Sequence, residues 1–343
     1  MCRNPLHCIV PPYILDQLAK SDDPEVRNLA VDTIAKSAAA RATRRALATM
    51  PAMAAIPSPA GNKDRLVYDA EHRGFGSLPG KLVRRENDGP TGDAAADEAF
   101  DGAGITYDFY KKVFNRNSLD DRGMTLISSV HLGTNLNNAF WTGEQMAYGD
   151  GDGQLFVRFT RSLDVVGHEL THGVVTHTSN LEYQDESGAL NEHFADVFGA
   201  LVKQWHLGQA VDQADWTIGA DLMAPGSGAR CLRIFTAEKA YENHPKLGTD
   251  PQPKHLSDKF TGIEDNRGVH INSGIPNHAF YLVAMRLGGN GWGTAGQIWY
   301  ETMRSLPKTS DFNKMVQKSV EVANSAGTRA RKVVAQAWKD VGF

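Results

Sequence analysis

The residues best suited to chemistry lie in one short stretch, residues 164–172, which reads D-V-V-G-H-E-L-T-H. His168 and His172 are four residues apart, so on an α-helix both rings lie on one face and can bind a single metal ion. Glu169 lies about 100 degrees around the helix from His168, where its carboxylate can reach a water molecule on the open side of the metal. The pattern H-E-x-x-H is typical of a helical zinc site. A chance arrangement on a solvated helix face is the alternative, and the surrounding sequence must decide.

A second predicted helix supplies a candidate third ligand. The first helix is expected to end near residue 178, and a new helix with apolar positions 190, 194, 197, 198 and 201 follows residues 186–188. A catalytic zinc takes three protein ligands and a water, and two histidines with one glutamate is a known set, so Glu192 is the candidate. Asn191 and Asp196 are expected to accept the second N–H of the ligand imidazoles. His193 is a rival ligand, but it would face roughly 100 degrees away from Glu192.

Composition excludes several classes of protein. The 343-residue chain is long enough for about two domains, and its formal net charge of −4 is small. It has no basic run with interleaved aromatic residues and no apolar run of about eighteen residues, so neither a nucleic-acid partner nor a membrane partner is expected. The three cysteines, Cys2, Cys8 and Cys231, are too few and too scattered for a disulfide framework. The N-terminus lacks a standard secretory signal, which predicts a cytoplasmic location unless export follows an unconventional route.

Three regions differ in their residue pattern. Residues 1–50 predict two helices, and residues 50–61, rich in proline and small side chains, predict an exposed linker. From residue 65 to about 159 the pattern predicts short strands and turns, with a helix at 97–114. The chain is then mainly helical, with predicted helices at 275–287, 293–306, 311–324 and 328–341. The alternative for residues 1–50 is a helical hairpin that is an integral part of the fold.

Residues 137–141 and 145–148 flank Thr142 and Gly143 like the two arms of a β-hairpin. An edge strand beside a cleft can bind an extended peptide as a further strand, because its free backbone groups form hydrogen bonds with the peptide. An ordinary sheet rim is the alternative interpretation.

Four sequence blocks together resemble the thermolysin family of zinc endopeptidases: N-A-F-W at 138–141, H-E-L-T-H at 168–172, Y-Q-D-E-S-G-A-L-N-E at 183–192 and D-N-R-G-V-H-I-N-S-G at 265–274. Residues 4–7 (N-P-L-H) and 11–15 (P-P-Y-I-L) are similar to the short propeptide of the protealysin-like subgroup. The resemblance implies an α+β, thermolysin-like fold with two lobes and the zinc site between them. A propeptide and linker (1–56) would precede a strand-rich lobe with the zinc-binding helix (57–178) and a helical lobe (179–343).

The resemblance also implies roles for the catalytic residues. Glu169 would be the general base that takes a proton from the attacking water and passes it to the leaving amine. Tyr183 and His270 would donate hydrogen bonds to the developing oxyanion, with Asp265 orienting His270. Without the family, Tyr183 would be interpreted as a packed aromatic residue and Asp265 as a turn residue.

The substrate-binding residues are likewise implied by resemblance. Asn138, Ala139 and Arg233 match positions that hold the substrate backbone. An apolar pocket on the leaving-amine side implies a preference for bulky apolar residues there, although periodicity alone would assign its residues to the core. The pocket residues are Phe156, Phe159, Val165, Leu222 and Leu232.

The first segment is expected to inhibit the enzyme by covering the cleft and to be removed by self-cleavage within residues 50–62. A second possibility is that the Cys8 thiolate binds zinc at its open position. The residues expected to form the inhibitory segment are Leu6, Pro11, Pro12, Tyr13, Ile14 and Leu15.

One departure from the family concerns a pair of calcium ions beside the second ligand helix. Asp164 and Asp215 are present, but Lys203, Thr217 and Ala220 stand where acidic ligands would be expected, which leaves too few oxygen donors for two calcium ions. We therefore expect one zinc, no calcium pair, and a monomer that acts on peptides or proteins and binds its own propeptide. A metallo-hydrolase of small amides and a latent binding module on the same fold are the alternatives.

Overall fold

A computed structural model of the protein describes residues 7–47 and 62–343. The strands are β1 His7–Cys8, β2 Arg65–Asp69, β3 Lys81–Arg85, β4 Leu126–Val130, β5 Ala139–Trp141, β6 Met146–Tyr148, β7 Thr217–Ile218 and β8 Arg233–Ile234. The helices are α1 Pro12–Leu18, α2 Pro24–Leu47, α3 Ala94–Phe114, α4 Leu163–Thr176, α5 Asp185–Leu207, α6 Glu264–Asn272, α7 Gly274–Leu287, α8 Thr294–Ser305, α9 Phe312–Ser325 and α10 Thr328–Asp340. Among the described residues, no helix has the length and apolar character that a membrane crossing requires.

The N-terminal lobe is built around a mixed six-stranded sheet with the order β1-β5-β6-β4-β2-β3. Strands β2, β4 and β6 run parallel to one another, whereas β5 is antiparallel to β6 and to β1. The hairpin predicted from residues 137–148 is formed by β5 and β6, and β5 would be the edge of the sheet without β1. The first segment of the chain therefore adds a strand to the sheet of the lobe that follows it.

Helices α4 and α5 form the junction between the strand-rich lobe and the helical lobe. Their backbones approach closely at Gly167 and Gly199: a Cβ atom on Gly199 would lie 2.4 Å from the carbonyl oxygen of Asp164 and 2.9 Å from the amide nitrogen of His168. Only glycine fits at such an approach. This contact brings the H-E-x-x-H face of α4 against the polar face of α5.

The C-terminal lobe packs helices α7 to α10 around a core that includes Phe280, Trp299, Val334 and Trp338. These four helices agree with the four that were predicted from the sequence of this region. Helix α6 was not predicted as a helix. Its first part is a turn in which residues 265–268 all have positive φ, and only the residues after it are right-handed, so regular apolar spacing could not identify it.

Candidate active site

The predicted metal ligands lie together at the contact between α4 and α5. Nε2 of His168 is 3.1 Å from Nε2 of His172, and each nitrogen is 3.5 Å from an oxygen of Glu192. Ligands about 2.0–2.2 Å from one tetrahedral zinc are roughly 3.3–3.5 Å apart, so these spacings fit a single zinc ion. All three side chains are fully buried, and Oε2 of Glu192 has no hydrogen-bond partner within the described parts of the chain. A buried carboxylate oxygen without a donor fits a metal ligand.

Two residues of α5 contact the Nδ1 atoms of the two imidazoles, whose Nε2 atoms face the predicted metal position. Nδ1 of His172 donates to Oδ1 of Asn191 at 2.8 Å, and Nδ1 of His168 lies 2.9 Å from Oδ1 of Asp196. These contacts direct both Nε2 atoms toward the same point. His193, the rival ligand, faces the core instead, because its Nδ1 donates to Asn277 and its Nε2 accepts from the Trp299 indole.

Asp196 has a second partner that the sequence did not indicate. The Arg233 guanidinium donates to both of its carboxylate oxygens at 2.8–3.1 Å. Burial alone would raise the pKa of Asp196, but the Arg233 charge and the His168 hydrogen bond outweigh it, so that the pKa lies well below its usual range. Asp196 therefore stays ionised and links the metal-ligand helix to strand β8.

Glu169 is held by the sheet. Its Oε2 accepts a hydrogen bond of 2.8 Å from the backbone N–H of Trp141 in β5, and its Oε1 has no hydrogen-bond partner among residues 7–47 and 62–343. Burial, reinforced by the negative charge of Glu192, raises the pKa of Glu169 well above its ordinary value. One oxygen is thus fixed and the other is free to exchange a proton.

Tyr183, His270 and Asp265 form a connected group. The Tyr183 hydroxyl donates to Oε1 of Glu192 and lies 3.1 Å from Nε2 of His270, whose Nδ1 is 2.6 Å from Oδ1 of Asp265. Asp265 also accepts from the backbone N–H of His270, because the turn at residues 265–268 folds its carboxylate back onto the helix. Burial lowers the pKa of His270, but the charges of Asp265 and Glu192 outweigh this and raise it well above its ordinary value.

Residues 7–10 lie across this group, with His7 and Cys8 in strand β1 and Ile9 and Val10 in the bend that follows it. His7 and Cys8 pair with Trp141 and Phe140 of β5. The amide of Ile9 donates to the carbonyl of Ala139 at 3.2 Å. The backbone N–H of Val10 then donates to the side-chain Oδ1 of Asn138 at 3.0 Å.

Two carbonyl groups of this strand meet the predicted substrate-binding and catalytic residues. His270 Nε2 lies 3.1 Å from the carbonyl oxygen of Cys8, and Arg233 donates to the carbonyl of Ile9 at 2.9 Å. Ile9 is fully buried, as is each of the five predicted pocket residues. These five are Phe156, Phe159, Val165, Leu222 and Leu232.

His7 is the site residue that sequence reasoning missed. Its ring stacks on His172 at a centroid distance of 4.0 Å and an interplanar angle of 18°. One of its nitrogens, one of His172 and a carboxylate oxygen of Glu192 lie within 4.8 Å of one another. The Cys8 side chain instead packs in a small apolar cluster with Phe140, so the geometry favours His7 over the Cys8 thiol as the group beside the ligands. The only signal was the place of His7 in the N-P-L-H block.

The rest of the predicted inhibitory segment follows directly. Pro11 precedes α1, Pro12 and Tyr13 begin it, and Ile14 and Leu15 are buried in the core. Leu6 lies outside the described residues, as does almost all of the expected cleavage region at 50–62.

Lys203 lies among carboxylates at the place where calcium ligands were considered. Its ammonium is 3.4 Å from Asp164, 3.5 Å from Asp215 and 3.0 Å from Asp221. Burial opposes the charge of Lys203, but the nearby carboxylates raise its pKa well above the usual range. The lysine charge therefore balances the acidic side chains of this group.

Comparison with known proteins agrees with this geometry. Residues 59–176 match the family model of the thermolysin metallopeptidase catalytic domain, and residues 179–343 match that of its alpha-helical domain. An extracellular metalloprotease of Pectobacterium carotovorum subsp. carotovorum is 44% identical over 350 residues, covering 100% of this chain and 98% of that protein. Thermolysin of Alicyclobacillus acidocaldarius is 41% identical over 261 residues, covering 73% of this chain and 45% of its own length.

A solved structure matches over nearly the whole chain. The precursor of protealysin, a metalloproteinase from Serratia proteamaculans, superposes with a TM-score of 0.88 at 43% identity, covering 98% of this chain and 99% of that one. The match extends into the N-terminal segment that precedes both family domains. The chain therefore belongs to the thermolysin family of metallopeptidases and is of the protealysin type.

Proposed function

We propose that this metallopeptidase is a zinc-dependent endopeptidase made as a self-inhibited precursor. It hydrolyses peptide bonds on the amino side of bulky apolar residues, with Glu169 as the general base. The observation that carries the proposal is the path of residues 7–10, whose carbonyl groups contact His270 and Arg233 while their backbone extends the sheet. An extended chain bound in this way supports a peptide substrate over a small amide.

The chemistry requires a base and a place for its proton. When bound to His168, His172 and Glu192, zinc supplies a water of lowered pKa and polarises the substrate carbonyl. Glu169 takes the proton on Oε1 while the Trp141 N–H holds Oε2 in place. Its raised pKa suits a group that keeps the proton for a time and then passes it to the leaving amine.

The Cys8–Ile9 peptide bond supports the assignment of the oxyanion donors. The Cys8 carbonyl oxygen represents the substrate carbonyl, and His270 lies at hydrogen-bond distance from it. Asp265 keeps His270 oriented and charged, and Tyr183 is close enough to join it as a second donor. Loss of one such donor typically costs roughly 3 kcal/mol of transition-state stabilisation.

Specificity is supported by the residue that follows this carbonyl. Ile9 is fully buried, and its own carbonyl is fixed by Arg233. A substrate in the same register would bury the side chain on the leaving-amine side of the scissile bond. A bulky apolar residue gains most there, since burying such a side chain contributes about 1.5–3 kcal/mol.

The same contacts explain why the uncut precursor would be inactive. The strand fills the substrate position, and His7 stacks on His172 beside Glu192, where an attacking water would need room. Residues 7–10 thus resemble a substrate in register while blocking the reaction. Self-cleavage within residues 50–62 would separate the segment from the enzyme.

Hydrolysis of casein by the processed protein tests the proposal. The Glu169→Gln precursor should not cut itself, so it is processed by added tagged parent enzyme, which is then removed. We expect Glu169→Gln to lower the rate about 10²- to 10⁴-fold, because it removes the general base but keeps the side-chain shape. A chelator should abolish the activity, and added zinc should restore it. Zinc content measured on the same Glu169→Gln sample is the control, since the variant should retain the metal. Activity that survives either treatment would contradict the mechanism.

A further inference from the structure

A second group of metal-ligating side chains lies at one end of the sheet. His72 follows β2, His131 follows β4, and Asp150 follows β6. Because β2, β4 and β6 are parallel, their carboxyl ends meet at the same edge. One donor atom from each side chain lies within 4.8 Å of the other two. Within the described parts of the chain, the side-chain hydrogen bonds and ion pairs of these three residues do not include the peptidase residues named above.

The distances among these side chains fit one metal ion. Nδ1 of His131 lies 3.0 Å from both carboxylate oxygens of Asp150, and Nδ1 of His72 lies 3.6 Å from Oδ2 of Asp150. These values are close to the roughly 3.3 Å expected between ligands of one tetrahedral zinc. The carbonyl oxygen of Gly133, 3.2 Å from Nδ1 of His72, is a further donor. The His72 side chain is 57% exposed, so the group is open to solvent.

The second ring nitrogen of His131 has a carboxylate partner, as the second nitrogen of a metal-ligand histidine usually does. Its Nε2 lies 2.7 Å from Oδ2 of Asp93, the residue that caps the N-terminus of α3. A carboxylate behind the imidazole fixes the ring and increases the basicity of the other nitrogen. The backbone also holds the two histidines side by side, because the N–H of His72 donates to the carbonyl of His131 at 2.9 Å.

Charge gives a further argument. Each ring nitrogen of His131 faces a carboxylate, so without a metal the ring carries two protons, and its single positive charge balances only one of the charges of Asp93 and Asp150. A divalent cation that displaces the Nδ1 proton balances both. Two histidines and a carboxylate form a donor set that suits zinc better than calcium or magnesium, which prefer oxygen ligands. Binding forms a metal bond at Nδ1 of His131, and the proton shared there with Asp150 leaves to solvent.

We propose that His72, His131 and Asp150 form a second zinc site, separate from the peptidase centre. It ties together the segments that follow three parallel strands, including β6, the neighbour of the substrate-binding strand β5. Its role is structural, and it does not depend on the proposed peptidase mechanism.

Zinc stoichiometry tests the proposal. Each protein is dialysed to equilibrium at micromolar free zinc, and bound zinc per chain is measured by mass spectrometry. We expect two zinc ions for the parent precursor, one for His72→Gln, one for His172→Ala and none for the double variant, because each substitution removes one ligand set. His72 is chosen over His131 because it is exposed, so the variant should fold.

Two further measurements separate the sites. His72→Gln should keep casein hydrolysis after processing, and His206→Gln, a control at another exposed histidine, should keep both zinc ions. Zinc should raise the thermal midpoint of His172→Ala but not that of the double variant. A parent that binds a single zinc, or a His72→Gln variant that binds as much as the parent, would overturn the proposal and leave a metal-free ion pair of His131 with Asp93 and Asp150.

Discussion

Asp196 is a buried carboxylate with partners on three different elements, α4, β8 and α7. It contacts His168 and accepts from both Arg233 and Asn277 while being fully buried. One carboxylate thus orients a proposed metal ligand and the arginine that is proposed to hold the substrate backbone. A buried charge of this kind persists only when its partners compensate for the loss of water.

We expect Asp196→Asn to weaken both functions. Zinc affinity should fall about 10- to 100-fold, because the partner behind His168 loses its charge. Stability should fall by roughly 3–5 kcal/mol, because Arg233 is left buried without a counter-ion. Chelator competition measures the first effect and urea unfolding the second.

Asp221→Asn is the matched control, since that carboxylate is half exposed and lies outside the zinc ligands. It should leave zinc affinity unchanged. If Asp196→Asn binds zinc as tightly as the parent, the role assigned to Asp196 is contradicted.

Strand β1 is the element that would keep the proposed precursor latent. It is only two residues long, so its own pairing with β5 is weak. Its position depends on the side-chain and carbonyl contacts of His7, Cys8 and Ile9 with α4, α6 and β8. Latency should therefore respond to single side chains.

We expect the uncut His7→Ala precursor to hydrolyse peptides faster than the uncut parent. The Cys8→Ser precursor should stay as inactive as the parent. An aromatic pair contributes about 0.5–1.5 kcal/mol, so the rate should rise roughly two- to tenfold. The measurement is the initial hydrolysis rate of a peptide, with a gel to show that the precursor is still intact. A latent His7→Ala together with an active Cys8→Ser would favour the thiol instead.

At the scale of the whole molecule, Lys203 joins parts that are distant in sequence. It lies on α5, Asp164 lies on α4, and Asp215 and Asp221 lie in the segment after α5. A lysine charge can neutralise these acidic groups without a metal ion. The thermal stability of the protein should therefore depend little on calcium.

We expect millimolar calcium to leave the thermal midpoint of the parent nearly unchanged. In Lys203→Asp, by contrast, the acidic side chains lose their cation and gain an oxygen ligand, so calcium should raise the midpoint. Thermal melting with and without calcium measures both. A rise of about ten degrees or more in the parent would mean that this region binds calcium after all.

The sequence was enough to predict the candidate metal ligands and their neighbours, because that information is local. The four-residue spacing of His168 and His172 places both rings on one helix face, and the same period placed Glu192 and Asp196 together on the next helix. Strands β2 to β6 and the C-terminal helices also followed from alternation, helical spacing and stop signals.

Tertiary structure decided what meets across long stretches of chain. No local pattern states that Arg233 pairs with Asp196, that His7 stacks on His172, or that His72 lies beside Asp150. These contacts depend on strand order, on the close approach at Gly167 and Gly199, and on a left-handed turn at residues 265–268. Periodicity shows which face of an element is buried, but the partner of that face is set only when the whole chain packs.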